Sequence, residues 1–244
     1  MNSVTDQNTS PPDGYKPHIG SKRQYMRDVI LGVNDGLVST FLLVAGVVGG
    51  GLTTTQVLLT GVSGALAGMI SMAIGEYLAT KSQDEVFDAE MALEAEHLKH
   101  FRAHEKDQLH DMLSDMGLTG KDLETVVEII DSNDDAMLAM QGALEFGIVD
   151  SERRSAIGAG ATSGLLFLTG ALPSIIPFVF VTSVSAGLIV ASILAGIGLF
   201  VVGALKTAAT KKNPFVSGIE NLALGFTGGV LSYFVGSLFD SAIG

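Results

Sequence analysis

Ser155–Leu205, SAIGAGATSGLLFLTGALPSIIPFVFVTSVSAGLIVASILAGIGLFVVGAL, holds no Asp, Glu, Lys, Arg or His. A helix needs about 20 mostly apolar residues to cross the hydrocarbon of a bilayer. This stretch is too long for one span and long enough for two. Pro173 and Pro177 bracket a natural break, because proline lacks the amide hydrogen that an uninterrupted helix requires. The predicted spans are 156–174 and 178–205.

The same test, carried outward, finds three more spans. Val29–Gly50 is broken only by Asn34 and Asp35, and Val57–Ala79 carries Glu76 as its only charge. Gly49, Gly50 and Gly51 make a tight turn between these two. A last stretch runs from Phe215 to Phe239, with Glu220 near its start. An odd number of spans puts the two ends of the chain on opposite sides of the membrane.

Composition agrees. Of 244 residues 47% are hydrophobic and 16% charged, with a mean hydropathy of +0.42; a soluble domain of this length needs more polar surface to cover its core. Thirty glycines and no tryptophan fit closely packed membrane helices, where small residues let backbones approach. The pairs Gly32/Gly36, Gly46/Gly50, Gly64/Gly68, Gly160/Gly164 and Gly225/Gly229 are candidate packing sites, within the chain or at a dimer face. Without cysteine there is no disulfide framework, thiolate metal site or cysteine nucleophile. The polar, proline-rich segment 1–21 reads as a disordered tail. No cleavable leader is expected, since the first apolar run starts after Asp28 and is too long for one.

The net charge of −12 is concentrated. Residues 81–155 hold 19 of the 26 acidic residues and 7 of the 14 basic ones, and the rest of the chain is neutral. A partner for that segment is cationic, and nucleic acid is disfavoured, because phosphate recognition needs Lys and Arg. The basic residues also set the orientation, since positive loops stay in the cytosol. Lys16, Lys22, Arg23 and Arg27 precede the first span, Lys81 follows the second, Arg153 and Arg154 precede the third, and Lys206, Lys211 and Lys212 separate the last two. The other connections carry none. The expected organisation is a cytosolic tail (1–21), two spans (22–81), an acidic cytosolic insert (82–152) and three spans (153–244), with the C-terminus extracytosolic. Vacuolar and plasma membranes are not distinguished.

The insert reads as three helices. The first, 82–115, continues from the second span, because no Gly or Pro falls between Tyr77 and Met116, and Gly117 ends it. Thr119 with Asp122 resembles a capping box for a helix over 120–131. Ser132 or Asn133 caps a third that ends near Gly147.

On one continuous helix Glu90, Glu94, His97, Phe101, His104, Glu105 and Gln108 fall within roughly a quarter turn. Carboxylate with imidazole suits Fe2+, Mn2+, Zn2+ or Co2+ better than Ca2+ or Mg2+, which take oxygen shells. The alternative is a solvated face of an acidic helix, since one helix cannot enclose a metal. Glu94-Ala-Glu-His97 also has the Glu-x-x-His spacing of di-iron bundles, but a second copy is absent, which argues against a ferroxidase. Ionisable groups inside spans are the stronger signal, being costly there and associated with ion pathways. Asp28 and Asp35 are seven residues apart, and Met72 and Glu76 four, so each pair shares a helix face. Interhelical hydrogen bonding or snorkelling is the competing explanation, chiefly for Asp28 and Glu220 near the cytosolic ends.

At Arg27-Asp28-Val-Ile-Leu-Gly-Val-Asn-Asp35-Gly-Leu-Val and at Ile70-Ser-Met72-Ala-Ile-Gly-Glu76-Tyr-Leu-Ala the chain resembles the vacuolar iron transporter family, over residues 22–240. The resemblance implies an all-α integral membrane protein of five transmembrane helices with a three-helix cytosolic insert between the second and third. It implies a homodimer that moves Fe2+, or Mn2+, out of the cytosol in exchange for H+. Asp28, Asp35 and Met72 match its pathway positions; a pathway glutamate that some members have early in the second span is Gly64 here, while Glu76 matches other branches. Glu94/His97 and Glu105/Gln108 correspond to its two Glu-x-x-Glu pairs, and Glu145 to its third-helix glutamate. Gln141 and Gly142 stand where some members have a methionine pair, with Met137 and Met140 one turn away. The expected metal set is therefore Glu94, His97, Glu105, Gln108, Glu145, Glu90, His104 and Met140. Either Asp35 or Glu76 is the expected proton-coupled carboxylate, since an acid taken out of water ionises less readily. No permanently bound cofactor and no catalytic residue is expected; a membrane-anchored metal buffer or sensor is the rival.

Overall fold

The computed structural model describes residues 22–147, 153–207 and 212–243, and among these every regular element is a helix. They are α1 (Lys22–Gly49), α2 (Thr54–His100), α3 (Arg102–Asp115), α4 (Gly120–Asp131), α5 (Asp134–Glu145), α6 (Ala156–Ile175), the single turn α7 (Pro177–Phe180), α8 (Val184–Leu205) and α9 (Pro214–Ile243). The tail predicted over 1–21 lies outside the described residues.

Five of these, α1, α2, α6, α8 and α9, are long and apolar enough to cross a membrane. Helix α2 has 47 residues. At about 1.5 Å per residue it reaches roughly 70 Å, twice the hydrocarbon thickness, so its C-terminal half stands clear of the apolar layer. The outward faces are apolar: Ile189, Ile193 and Ile197 recur every four residues on α8 at 61%, 56% and 58% exposure. Water would not tolerate so continuous a stripe; lipid would.

Helix α6 packs on both α1 and α2, and α9 on both α1 and α8. Glycine makes the approach possible. A Cβ on Gly36 of α1 would lie 2.0 Å from the Phe167 carbonyl oxygen of α6, and one on Gly236 of α9 would lie 1.9 Å from the Gly46 carbonyl of α1. The paired glycines singled out from the sequence meet neighbours within this one chain. Polar groups in the spans find partners across helices: the Asn221 amide donates to Asn34 Oδ1 and to the Leu199 carbonyl, both at 2.8 Å.

Between the second and third spans the structure departs from one unbroken helix over 82–115. Helix α2 runs through from the span, as expected, but stops at His100, and Phe101 (φ −132°, ψ 30°) joins it to a separate α3. The segment therefore holds the end of α2 and three further helices. No local breaker explains this; packing does, because tertiary contacts override propensity. The turn lets Leu98 of α2 and Leu109 and Leu113 of α3 share one core with Leu123, Val127, Ile130 and Met137 of α4 and α5. Arg102 braces the turn, donating from Nε to Asp131 at 2.8 Å and from Nη1 to Asp134 at 2.7 Å. Gly117 takes the left-handed conformation (φ +101°) at the end of α3. Thr119 precedes α4 but its side chain makes no capping bond, so the expected box does not form. Asn133 does cap α5, accepting from the Ala136 amide.

Candidate functional site

The chemistry-bearing residues gather in two places along α2. The first is a cleft of about 460 Å3 between α1, α2 and α6. On α2, Gly64, Gly68, Ser71, Met72, Gly75 and Glu76 line it, and the three glycines and the serine among them leave the space open. Asp35, Ser39 and Thr40 come from α1 and Phe167 from α6. Asp35 accepts a hydrogen bond from Ser39 Oγ at 2.7 Å, one turn on. Three of the four candidate pathway residues, Asp35, Met72 and Glu76, thus border one space.

Asp28 lies two turns before Asp35 on α1 and is buried. Its carboxylate is held by Arg154, just before α6, and by Arg27 at 3.3 Å. Arg154 Nη2 also donates to Glu76 Oε1 at 3.0 Å. One arginine therefore joins acids on two helices at the end of the cleft. Sequence reasoning counted Arg154 only as a topological charge. Two acids in apolar spans without a counter-ion were the available signal, since such groups rarely stand unpaired. Glu220, by contrast, is exposed and lies 3.9 Å from Lys206.

The second place is made by the turn at Phe101. Glu94 and His97 lie one turn apart at the end of α2, and the reversal brings Glu105 of α3 back onto them. One ligand atom from each of the three lies within 4.8 Å of the others. His97 Nδ1 is 3.5 Å from Glu105 Oε1 and 3.8 Å from Glu94 Oε2. Both carboxylates are buried at 3% exposure, and the imidazole is half-buried. The group is thus enclosed by two helices, which a single helix could not achieve.

Gln141 of α5 completes the wall: its Nε2 donates to Glu105 Oε2 at 2.9 Å. Its own Oε1, and Glu94 Oε1, are buried without any hydrogen-bond partner. Orphan oxygens of this kind are rare in folded proteins, and the one on Glu94 belongs to the group of side chains that could hold a metal ion. Burial, then the neighbouring charges of Glu105 and Glu145, raise the Glu94 carboxyl from 4.5 to about 7, with His97 opposing. A divalent ion at the triad would offset this burden on Glu94: two carboxylates and one imidazole form a mixed N/O set.

The other candidates are placed differently. Among the described residues Glu90 and His104 do not join the triad; His104 is exposed. Gln108 is half-buried, and Glu145 is exposed but close enough for its charge to act on Glu94. Met140 packs against the insert core, and Met137 is wholly inside it. The thioether that fills the space beside Gly142 is that of Met91, whose Sδ lies 2.9 Å from where a Cβ on that glycine would be. Gln141, read from sequence as a mere departure, is the residue whose amide holds the Glu105 carboxylate of the triad.

Residues 26–237 match the model of the VIT family. Vacuolar iron transporter 2 of Oryza sativa subsp. japonica is 31% identical over 202 residues, 83% of this chain and 82% of the relative. Vacuolar iron transporter 1 of Tulipa gesneriana is 29% identical over 216 residues, 88% and 87% respectively. The vacuolar iron transporter of Plasmodium berghei (strain Anka) is 25% identical over 244 residues, 95% and 88%. With five apolar helices of spanning length and similarity along nearly its whole length, this integral membrane protein belongs to the VIT family.

Proposed function

We infer that the protein carries Fe2+, or Mn2+, across its membrane and out of the cytosol in exchange for protons. The observation that carries this reading is the cleft, which gathers Asp35, Met72 and Glu76 between helices that are otherwise apolar. Carboxylate with thioether can replace part of the water shell of a borderline divalent ion without trapping it. The triad of Glu94, His97 and Glu105, with Gln141 behind it, would capture the ion first; Asp35, Met72 and Glu76 would then pass it on, one of the two acids carrying the exchanged proton. The names of the relatives support iron as the cargo. The distribution of Lys and Arg supports a cytosolic insert, and a homodimer is the expected assembly. A metal buffer would use the triad alone and leave the acids in the spans without a role.

The test is net transport by the full chain in proteoliposomes, with Fe2+ kept reduced, the lumen acidified and Mn2+ or Zn2+ as competitors. Fe2+ should accumulate inside while a trapped dye reports the lumen becoming less acidic. Uptake that saturates at a few ions per chain, with no free metal inside, would mean a buffer and overturn the reading.

A further inference from the structure

We propose that Arg154 is a tethered cation that holds the position of a divalent ion at Glu76 and Asp28, and that an arriving metal must displace it. This rests on the transport reading above and adds a residue that neither the motifs nor the relatives' names point to.

The geometry is that of an occupied cation site. Arg154 uses two nitrogens for two carboxylates on different helices: Nη1 for Asp28 of α1 and Nη2 for Glu76 of α2. The side chains of Arg154, Asp28 and Glu76 are 17%, 6% and 18% exposed, so the contact is largely out of water. Arg27, 64% exposed, flanks it at 3.3 Å from Asp28 and 4.0 Å from Glu76. Exposed to water and screened there, Arg27 contributes little; the cation that fills the space between the two carboxylates is Arg154.

Glu76 belongs at once to this ion pair and to the cleft lined by Asp35 and Met72, so its carboxylate cannot serve metal and guanidinium fully together. Leaving the two acids with no cation in an apolar setting is costly, and Arg154 meets that need while no metal is bound. Its backbone precedes the first residue of α6 and is not helical, so the side chain can swing away without unwinding a span. The planar fork of arginine suits two carboxylates at once, whereas a lysine ammonium is a compact point charge.

The measurement is Mn2+ transport by the full chain in proteoliposomes, with KM and maximal rate read separately, for Arg154→Ala, Arg154→Lys and Arg27→Ala. Losing the tethered competitor should lower the KM of Arg154→Ala at least threefold and that of Arg154→Lys by less, while Arg27→Ala changes little. Guanidinium ion should inhibit Arg154→Ala competitively and return its KM towards wild type. Tetramethylammonium at equal ionic strength should not, and wild type should respond to neither. A second arm reads Mn2+ affinity in detergent on a Glu94→Gln/Glu105→Gln background, where only the cleft can bind, with and without Arg154→Ala; here too affinity should rise at least threefold. Should Arg154→Ala fail to fold, Arg154→Lys decides. An unchanged or raised KM, an equal shift in Arg27→Ala, or guanidinium that raises only thermal stability would each overturn the proposal and leave Arg154 a structural staple. Absence of any wild-type flux would sink the transport reading instead, and the binding arm would still decide this one.

Discussion

Lowering the pH from 8 to 6 should weaken metal capture by the insert about tenfold through one group, Glu94. Its carboxyl is raised from 4.5 to about 7 by burial and by the charges of Glu105 and Glu145, and a metal binds only the ionised form. A group titrating near 7 is about nine-tenths ionised at pH 8 and about one-tenth at pH 6, hence the factor. At its ordinary value it would be ionised throughout and add nothing. The sign for stability runs the other way. A raised acid holds its proton in the folded protein where the unfolded chain has lost it, so the metal-free insert loses stability as pH rises from 4.5 through about 7. Bound metal restores it above 7. The assay is Mn2+ titration calorimetry on the full chain in nanodiscs, in buffers of different ionisation enthalpy, so that released protons are counted. Near pH 6 binding should release close to one proton from this group. Glu94→Gln should bind more weakly and lose that share of the pH dependence. Equal affinity at pH 6 and 8, or an unchanged pH profile in Glu94→Gln, would refute the argument.

Further outcomes follow from the same geometry. The chain has no cysteine, so single-cysteine labelling has a clean background: Ser114→Cys should be protected from an impermeant maleimide in intact cells and Thr53→Cys should react, and the reverse would invert the orientation. Gly36→Ala drives a Cβ to 2.0 Å from the Phe167 carbonyl and should lower stability by about 1–3 kcal/mol, read as a lower Tm in detergent; Gly75→Ala meets nothing within 4 Å and should leave Tm unchanged. Met72→Leu keeps bulk and removes sulfur, so it should slow Fe2+ more than Mg2+; equal slowing would deny the thioether a ligand's role.

The spans were legible because each is a long apolar run with few charges, but the break was misplaced: Pro173 sits inside α6, Pro177 opens the single turn α7, and α8 starts only at Val184 rather than at 178. Residues Asp35, Met72 and Glu76 could be named because an ionisable group in an apolar helix stands out, and the structure gathers them. The insert was less legible. Nothing between Tyr77 and Met116 breaks a helix locally, yet Phe101 does so because Leu98, Leu109 and Leu113 need one core. That turn decides the triad: on an unbroken helix Glu105 would stand well beyond His97, while in the fold it returns to 3.5 Å. Gln141 and Arg154 were missed for a related reason. Each acts on acids far away in sequence, at separations of 36 for Gln141–Glu105 and 126 for Arg154–Asp28, which no local pattern encodes.

The central claim is that acids in the cleft govern passage while the triad governs capture. Asp35→Asn and Glu76→Gln keep shape and remove charge, and the direct measurement is their Fe2+ flux into proteoliposomes, beside Mn2+ affinity of the same preparations. Each variant should transport at least tenfold more slowly than wild type, about 1.4 kcal/mol of barrier, with Mn2+ affinity of the insert unchanged. Wild-type flux in both variants would contradict the account and reduce the two carboxylates to packing groups.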